Sequence, residues 1–148
     1  MSVLLDTHMW VWWLTADPRL HARERRSLDD EAAQGRIRLS AISMWEAQML
    51  HAKRRLVLPL QFGEWLRRAV DPRVLTLAPV DVGVVVALDQ LPSSFHGDPA
   101  DRLIVATARA HAWPLATHDE AIRRSRLAKL WKPTRLSSSL YSPPASVP

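Results

Sequence analysis

Asp6, Glu46, Asp101 and Asp119 are the residues of this chain best able to do chemistry together. Each follows a short apolar run and opens an amphipathic stretch, in LLDTH, SAISMWE, DPADRLIVATA and LATHDEAI. In a parallel sheet, strand-to-helix junctions line up along one edge, at the carboxyl ends of the strands. Four carboxylates gathered there repel each other, and a proton or a bound cation must relieve them. Oxygen donors without Cys or His in the set suit Mg²⁺ or Mn²⁺. One or two such ions would polarise a phosphate and acidify the water that attacks it.

Helix starts favour acids for structural reasons, so each residue also has a plainer explanation. Ser43 and Glu46 match a capping box, as do Thr117 and Glu120. Asp98-Pro99 matches an N-cap followed by proline, with Asp101 three residues on. Asp98 could therefore cap a helix or join the acids, and capping is favoured. Asp6 and Asp119 resist the plainer account. Thr7 could cap the first helix and leave a carboxylate stranded after the buried run Val3-Leu4-Leu5. Asp119 is surplus to its capping box.

The elements that must position these acids follow from the apolar pattern. Strands are expected at 3–6, 36–41, 74–77 and 115–117, with an edge strand at 129–131. Helices are expected at 8–14, within 19–35, and at 43–55, 60–70, 80–88, 99–112 and 120–125, with 91–97 a loop. This alternation implies a three-layer α/β/α sandwich around a central parallel sheet. Residues 1–132 form one domain, and the Ser/Pro-rich segment 133–148 reads as a disordered tail.

Composition narrows the class. The 148 residues carry 20 Lys and Arg against 15 Asp and Glu, and the basic surplus grows once four acids are assigned to a pocket. Basic clusters recur at 23–26, 53–55, 67–68 and 123–126. A basic surface around an acidic pocket suits an enzyme that cuts a polyanion, although a solvated Arg-rich surface has the same composition. Without cysteine there are no disulfides and no thiolate metal sites. No apolar run approaches the roughly 18 residues of a membrane span, and the start lacks a basic signal region. A cytoplasmic protein is expected.

The order Asp, Glu, Asp, Asp and its flanking residues resemble a PIN-domain ribonuclease, and more narrowly the VapC-like toxins of bacterial type II toxin–antitoxin pairs. The likeness covers most of residues 2–125 and is carried by LLDTH, SAISMWE, DPADRLIVATA and LATHD. It implies a PIN-like fold and Mg²⁺- or Mn²⁺-dependent endoribonuclease activity, by which a metal-activated water hydrolyses RNA. It also implies a homodimer and a cognate antitoxin protein. Asp6, Glu46, Asp101 and Asp119 would be the acidic quartet, with Thr7, Ser43 and Thr117 as small hydroxyl residues supporting it. The competing expectation is a catalytically inactive PIN-like module that binds nucleic acid or protein.

Other chemistries have less support. A histidine-pair ribonuclease would draw on His96 and His118, but one sits in a Gly/Pro loop and the other fills a capping-box spacer. An aspartyl-phosphatase pattern would want an acid where His8 stands. No Gly-rich phosphate loop or HExxH motif occurs. Of seven tryptophans, Trp45 and Trp113 are expected in the core, and at least one of Trp10, Trp12 and Trp13 at an interface.

Overall fold

The expected strands form, each shorter than its apolar run. The computed structural model describes residues 1–95 and 97–134, so His96 and nearly all of the expected tail lie outside the described residues. Four parallel strands, β1 (Val3–Leu5), β2 (Ile37–Ser40), β3 (Thr76–Ala78) and β4 (Leu115–Ala116), lie in the order β3-β2-β1-β4. The edge strand expected at 129–131 is reduced to one parallel bridge, Leu115 to Leu130.

Between the strands run α1 (Thr7–Thr15), α2 (Ala22–Ala33), α3 (Ile42–Ala52), α4 (Phe62–Ala69), α5 (Val82–Asp89), α6 (Pro99–His111) and α7 (Glu120–Ser125). β1 shows why there are three layers. Val3 and Leu5 point into a core with Trp10, Leu28, Ala47 and Trp65 of α1 to α4, while Leu4 points into a core with Val84, Ile104 and Ile122 of α5 to α7. Alternation along one strand thus feeds both faces. Burying Trp10 completely requires a partner for its indole N–H, which donates to Ala69 O at 3.1 Å. Among the described residues no helix is long and apolar enough to cross a membrane.

Two expectations fail here. Trp45 is 48% exposed on α3 rather than in the core, whereas Trp113 does pack partly buried against the second cluster. Asp101 does not follow a strand: α6 is entered from α5 through a loop. The acid at the strand-to-helix turn after β3 is Asp81, which caps α5 by accepting from Val84 N at 3.0 Å.

Candidate active site

Register fixes the floor of the site. Leu5 pairs with Leu39 on one side and Ala116 on the other, so Asp6, Ser40 and Thr117 come off the carboxyl edge side by side. The Asp6 amide donates to Ala116 O at 3.1 Å, which pins the chain as it turns into α1. Asp6 itself is the N-cap of α1, its Oδ1 accepting from Met9 N at 2.8 Å. Thr7, expected to be that cap, is instead a buried first-turn residue whose hydroxyl donates to Ser43 Oγ at 2.9 Å. A short aspartate accepts from a helix's first free amides more readily than its own first residue can.

Glu46 is also misread by a capping box. α3 begins at Ile42, its N-cap Ala41 is helical and makes no side-chain cap, and Ser43 lies inside the first turn. Ser40 Oγ accepts from Ile42 N at 3.2 Å instead. Glu46 therefore sits in the second turn, only 5% exposed, with no capping task to explain it. The Thr7 hydroxyl stands beside its carboxylate as well as beside Ser43, and its single proton can serve one of them at a time.

Asp119 is not surplus to a cap. It is the N-cap of α7, accepting from Ile122 N at 2.9 Å, and Thr117 Oγ1 accepts the Asp119 amide at 3.0 Å. The same Thr117 hydroxyl bonds the Asp6 carboxylate, tying two acids through one side chain. Asp98 is the expected N-cap of α6, accepting from Asp101 N at 2.8 Å with Pro99 next.

All five acids line one cavity of about 350 Å³, together with Thr7, His8, Trp12, Arg19 and His118. Within it, ligand oxygens of Glu46, Asp98 and Asp101 lie within 4.8 Å of one another. Capping and clustering are thus not alternatives for Asp98, which does both. Asp6 and Asp119 face the same cavity outside that tightest group, and Asp81 lies outside the cavity altogether.

The electrostatics match the crowding. Burial pushes the Asp6 carboxyl above the ordinary range, against the Thr117 and Met9 hydrogen bonds that lower it. Burial likewise raises Glu46, with Asp98 and Asp6 adding repulsion. Asp101 is pushed to about 7, by burial first and then by Asp98, Glu46, Asp119 and Asp6. A positive charge placed in the cavity would favour the ionised form of each of these three carboxyls.

Around the cavity, Arg19 was not singled out by sequence, and His118 was weighed only for a histidine-pair chemistry. Arg19 stacks 4.7 Å over the Trp12 ring and pairs with Asp17 at 2.7 Å. His118 meets the edge of Trp12 at 5.7 Å, and its Nε2 lies 2.7 Å from Glu24 Oε2. No motif signals these contacts, because each joins elements far apart in sequence. The basic clusters also divide: Arg25 is spent on the carbonyls of Trp13 and Asp17, and Arg123 donates to Thr117 O, whereas Lys53 and Arg55 line a groove beside the acids.

A family model described as the PIN domain matches residues 3–127. The chain belongs to the PIN-domain family. It is 38% identical over 128 residues to Ribonuclease VapC22 of Mycobacterium tuberculosis, covering 84% of this chain and 92% of that protein. Solved PIN-like relatives have the same fold. VapBC2 from Rickettsia felis bound to a DNA fragment from their promoter matches with TM-score 0.68 at 18% identity, over 88% of this chain and 98% of that one. FitAB bound to an IR36 DNA fragment matches with TM-score 0.61 at 26% identity, over 91% and 97%.

Proposed function

We propose that this PIN-domain chain is a metal-dependent endoribonuclease, the toxin of a type II toxin–antitoxin pair. The observation that carries the reading is the convergence of Asp6, Glu46, Asp98, Asp101 and Asp119 on one cavity, in a chain similar to a ribonuclease along most of its length.

The donor set fits a hard divalent cation, Mg²⁺ or Mn²⁺. Oxygens bound to one ion at about 2.1 Å stand roughly 3–4.2 Å apart, close to the spacing of Glu46, Asp98 and Asp101. Glu46 and Asp101 would hold it together with the buried Asp6 on the floor, Asp98 would add an oxygen from the rim, and Asp119 faces the same space. When bound, such an ion supplies Lewis acidity toward a phosphate oxygen and makes an attacking water more acidic. The protein's own contribution is positional. Capping bonds fix one oxygen each of Asp6, Asp98 and Asp119, the Thr117 hydroxyl bonds the Asp6 carboxylate, and the Thr7 hydroxyl stands between Ser43 Oγ and the Glu46 carboxylate. Asp101, raised to about 7, is only partly ionised near neutrality, and a bound cation would favour its charged form.

RNA is the substrate, and a small antitoxin protein the partner that inhibits the toxin. A second copy of the chain is the other partner, and α5 offers it an apolar face in Val82, Val85 and Val86, 80%, 49% and 51% exposed. The test is direct. Purified full-length chain is incubated with total cellular RNA in Mg²⁺, in Mn²⁺ and in EDTA. Cleavage with either ion and none in EDTA is expected. Binding unchanged by chelator, with no RNA cut under any divalent ion, would replace the enzyme by a non-cutting binding module.

A further inference from the structure

Beside the acid cavity lies a second, larger groove of about 640 Å³, which shares His8, Glu46 and Asp98 with it. One wall is a face of α3 and its C-cap, where Trp45, Met49 and Lys53 recur at a spacing of four residues. The run from Glu46 to Lys53 spans about 10 Å of helix axis. Arg55 lies at the far end.

Trp45 has no structural task that accounts for its position. It is 48% exposed, while Trp10, Trp13 and Trp65 are 0%, 8% and 5% exposed. Among the described residues no ring or guanidinium stacks on it, although Trp12 and Trp113 both carry such contacts. Neither Lys53 nor Arg55 is paired with a carboxylate among the described residues.

The groove's two ends carry opposite charge. An acidic peptide would suit Lys53 and Arg55 but would run into the acids, and a basic one would meet the reverse conflict. A phosphodiester chain meets neither, because its phosphates suit the basic end and a cation at the acids accepts the same charge. A bare aromatic face between phosphate contacts is the recurring platform for unstacked bases. We propose that Trp45 is the base-stacking platform of a single-stranded RNA subsite adjoining the acids, with Lys53 and Arg55 as its phosphate contacts. The strand's identity rests on the ribonuclease reading above, while the subsite stands or falls on binding.

The test is fluorescence anisotropy of the full-length chain in Mg²⁺ with a short, unstructured, labelled oligoribonucleotide, read in the cold while gels show the strand still intact. Trp45→Ala should weaken binding by roughly tenfold, the size of one base–aromatic stack, and Trp45→Phe should keep most of it. One abasic nucleotide walked along the strand should cost the wild type at one position and the Trp45→Ala protein at none. Lys53→Gln with Arg55→Gln should reduce the salt slope by about 0.7 per phosphate lost. Hydrolysis of methyl p-nitrophenyl phosphate, a diester without a base, by wild type with each divalent ion reads the acid site apart from the subsite. If wild type hydrolyses neither RNA nor that diester with any divalent ion, the ribonuclease reading fails, and anisotropy still decides the subsite. Oligomer binding by Trp45→Ala equal to wild type overturns it, as it would if that face held a protein partner instead. Should Trp45→Ala fail to fold, Trp45→Phe and the abasic walk on wild type decide: a single sensitive position supports the subsite, and uniform tolerance overturns it.

Discussion

Asp6 on the floor of the cavity and Asp98 on its rim make the same hydrogen bond. In each, Oδ1 accepts from the backbone amide three residues on, at 2.8 Å. Asp119 and Asp81 repeat it at 2.9 and 3.0 Å. Capping is therefore common to acids inside the cavity and to one outside it, and cannot mark the site. What separates floor from rim is solvent. Asp6 is 5% exposed at the end of a central strand, whereas Asp98 is exposed at the start of α6. A cap needs only one oxygen and no burial. Burying Asp6 and Glu46 destabilises the fold without helping either helix, and such a cost is retained where a function needs it.

The sharpest way to break this comparison is to remove the floor's charge and keep its cap. Asn caps as well as Asp, so Asp6→Asn preserves the bond to Met9 while deleting a buried carboxylate. RNA cleavage should fall more than about 100-fold, and the melting temperature should stay level or rise. Wild-type cleavage by this variant would show that the floor is merely structural.

Acidity gives the next largest effect. Asp101 titrates near 7 in the fold against 3.8 when unconstrained, and Asp6 and Glu46 are raised as well. A raised carboxyl binds its proton more tightly when folded, so its stabilisation is complete below the unfolded value and lost as pH rises through the folded one. Melts in EDTA should therefore show stability falling from about pH 4 to about pH 7 and then levelling, with Asp101→Asn flattening the curve. Mg²⁺ or Mn²⁺ should restore most stability on the alkaline side, by about 2.7 kcal/mol at 100 times its Kd. A profile flat in EDTA would mean that the acids are not crowded.

Sequence carried the fold and the membership of the site further than it carried the reasons. Strand runs were legible because a central parallel strand such as Val3-Leu4-Leu5 is buried on both faces and reads as unbroken apolar residues. The order β3-β2-β1-β4 was not, since crossovers leave no local signal. The same locality explains the errors. Ser43 looks like a cap because the motif is local, but the helix start is set where Ala41 N is held by Ala78 O, on a strand far along the chain. Trp45 was assigned to the core by residue type, and nothing local reveals that it stands 48% exposed among the described residues. Glu46 was named as one of four acids at junctions, with a capping box as its plainer explanation; that box is absent, and burial beside Thr7 is what sets the residue apart.

On the rim, substitutions that separate cap from charge sharpen the contrast. Asp98→Ser keeps a good N-cap and loses the carboxylate, while Asp98→Ala loses both. Only the alanine variant should lose stability, by about 1 kcal/mol in denaturant melts. If Asp98 contributes to the oxygen group with Glu46 and Asp101, both variants should cleave RNA about tenfold more slowly. A fully active serine variant would return Asp98 to capping alone, leaving the floor acids with Asp101 and Asp119 as the site.

The smallest effect tests the link between floor and rim. Thr117, 3% exposed, accepts the Asp119 amide at 3.0 Å and donates a hydrogen bond to Asp6. Thr117→Val keeps the shape and removes both bonds, at a cost of about 1 kcal/mol. Because that hydroxyl lowers the Asp6 pKa, its loss should move the alkaline arm of the metal-free stability profile to higher pH. Cleavage should fall less than for Asp98→Ser, since every carboxylate remains. An unshifted profile with unaltered cleavage would show that floor and rim hold their positions independently, each through its own cap.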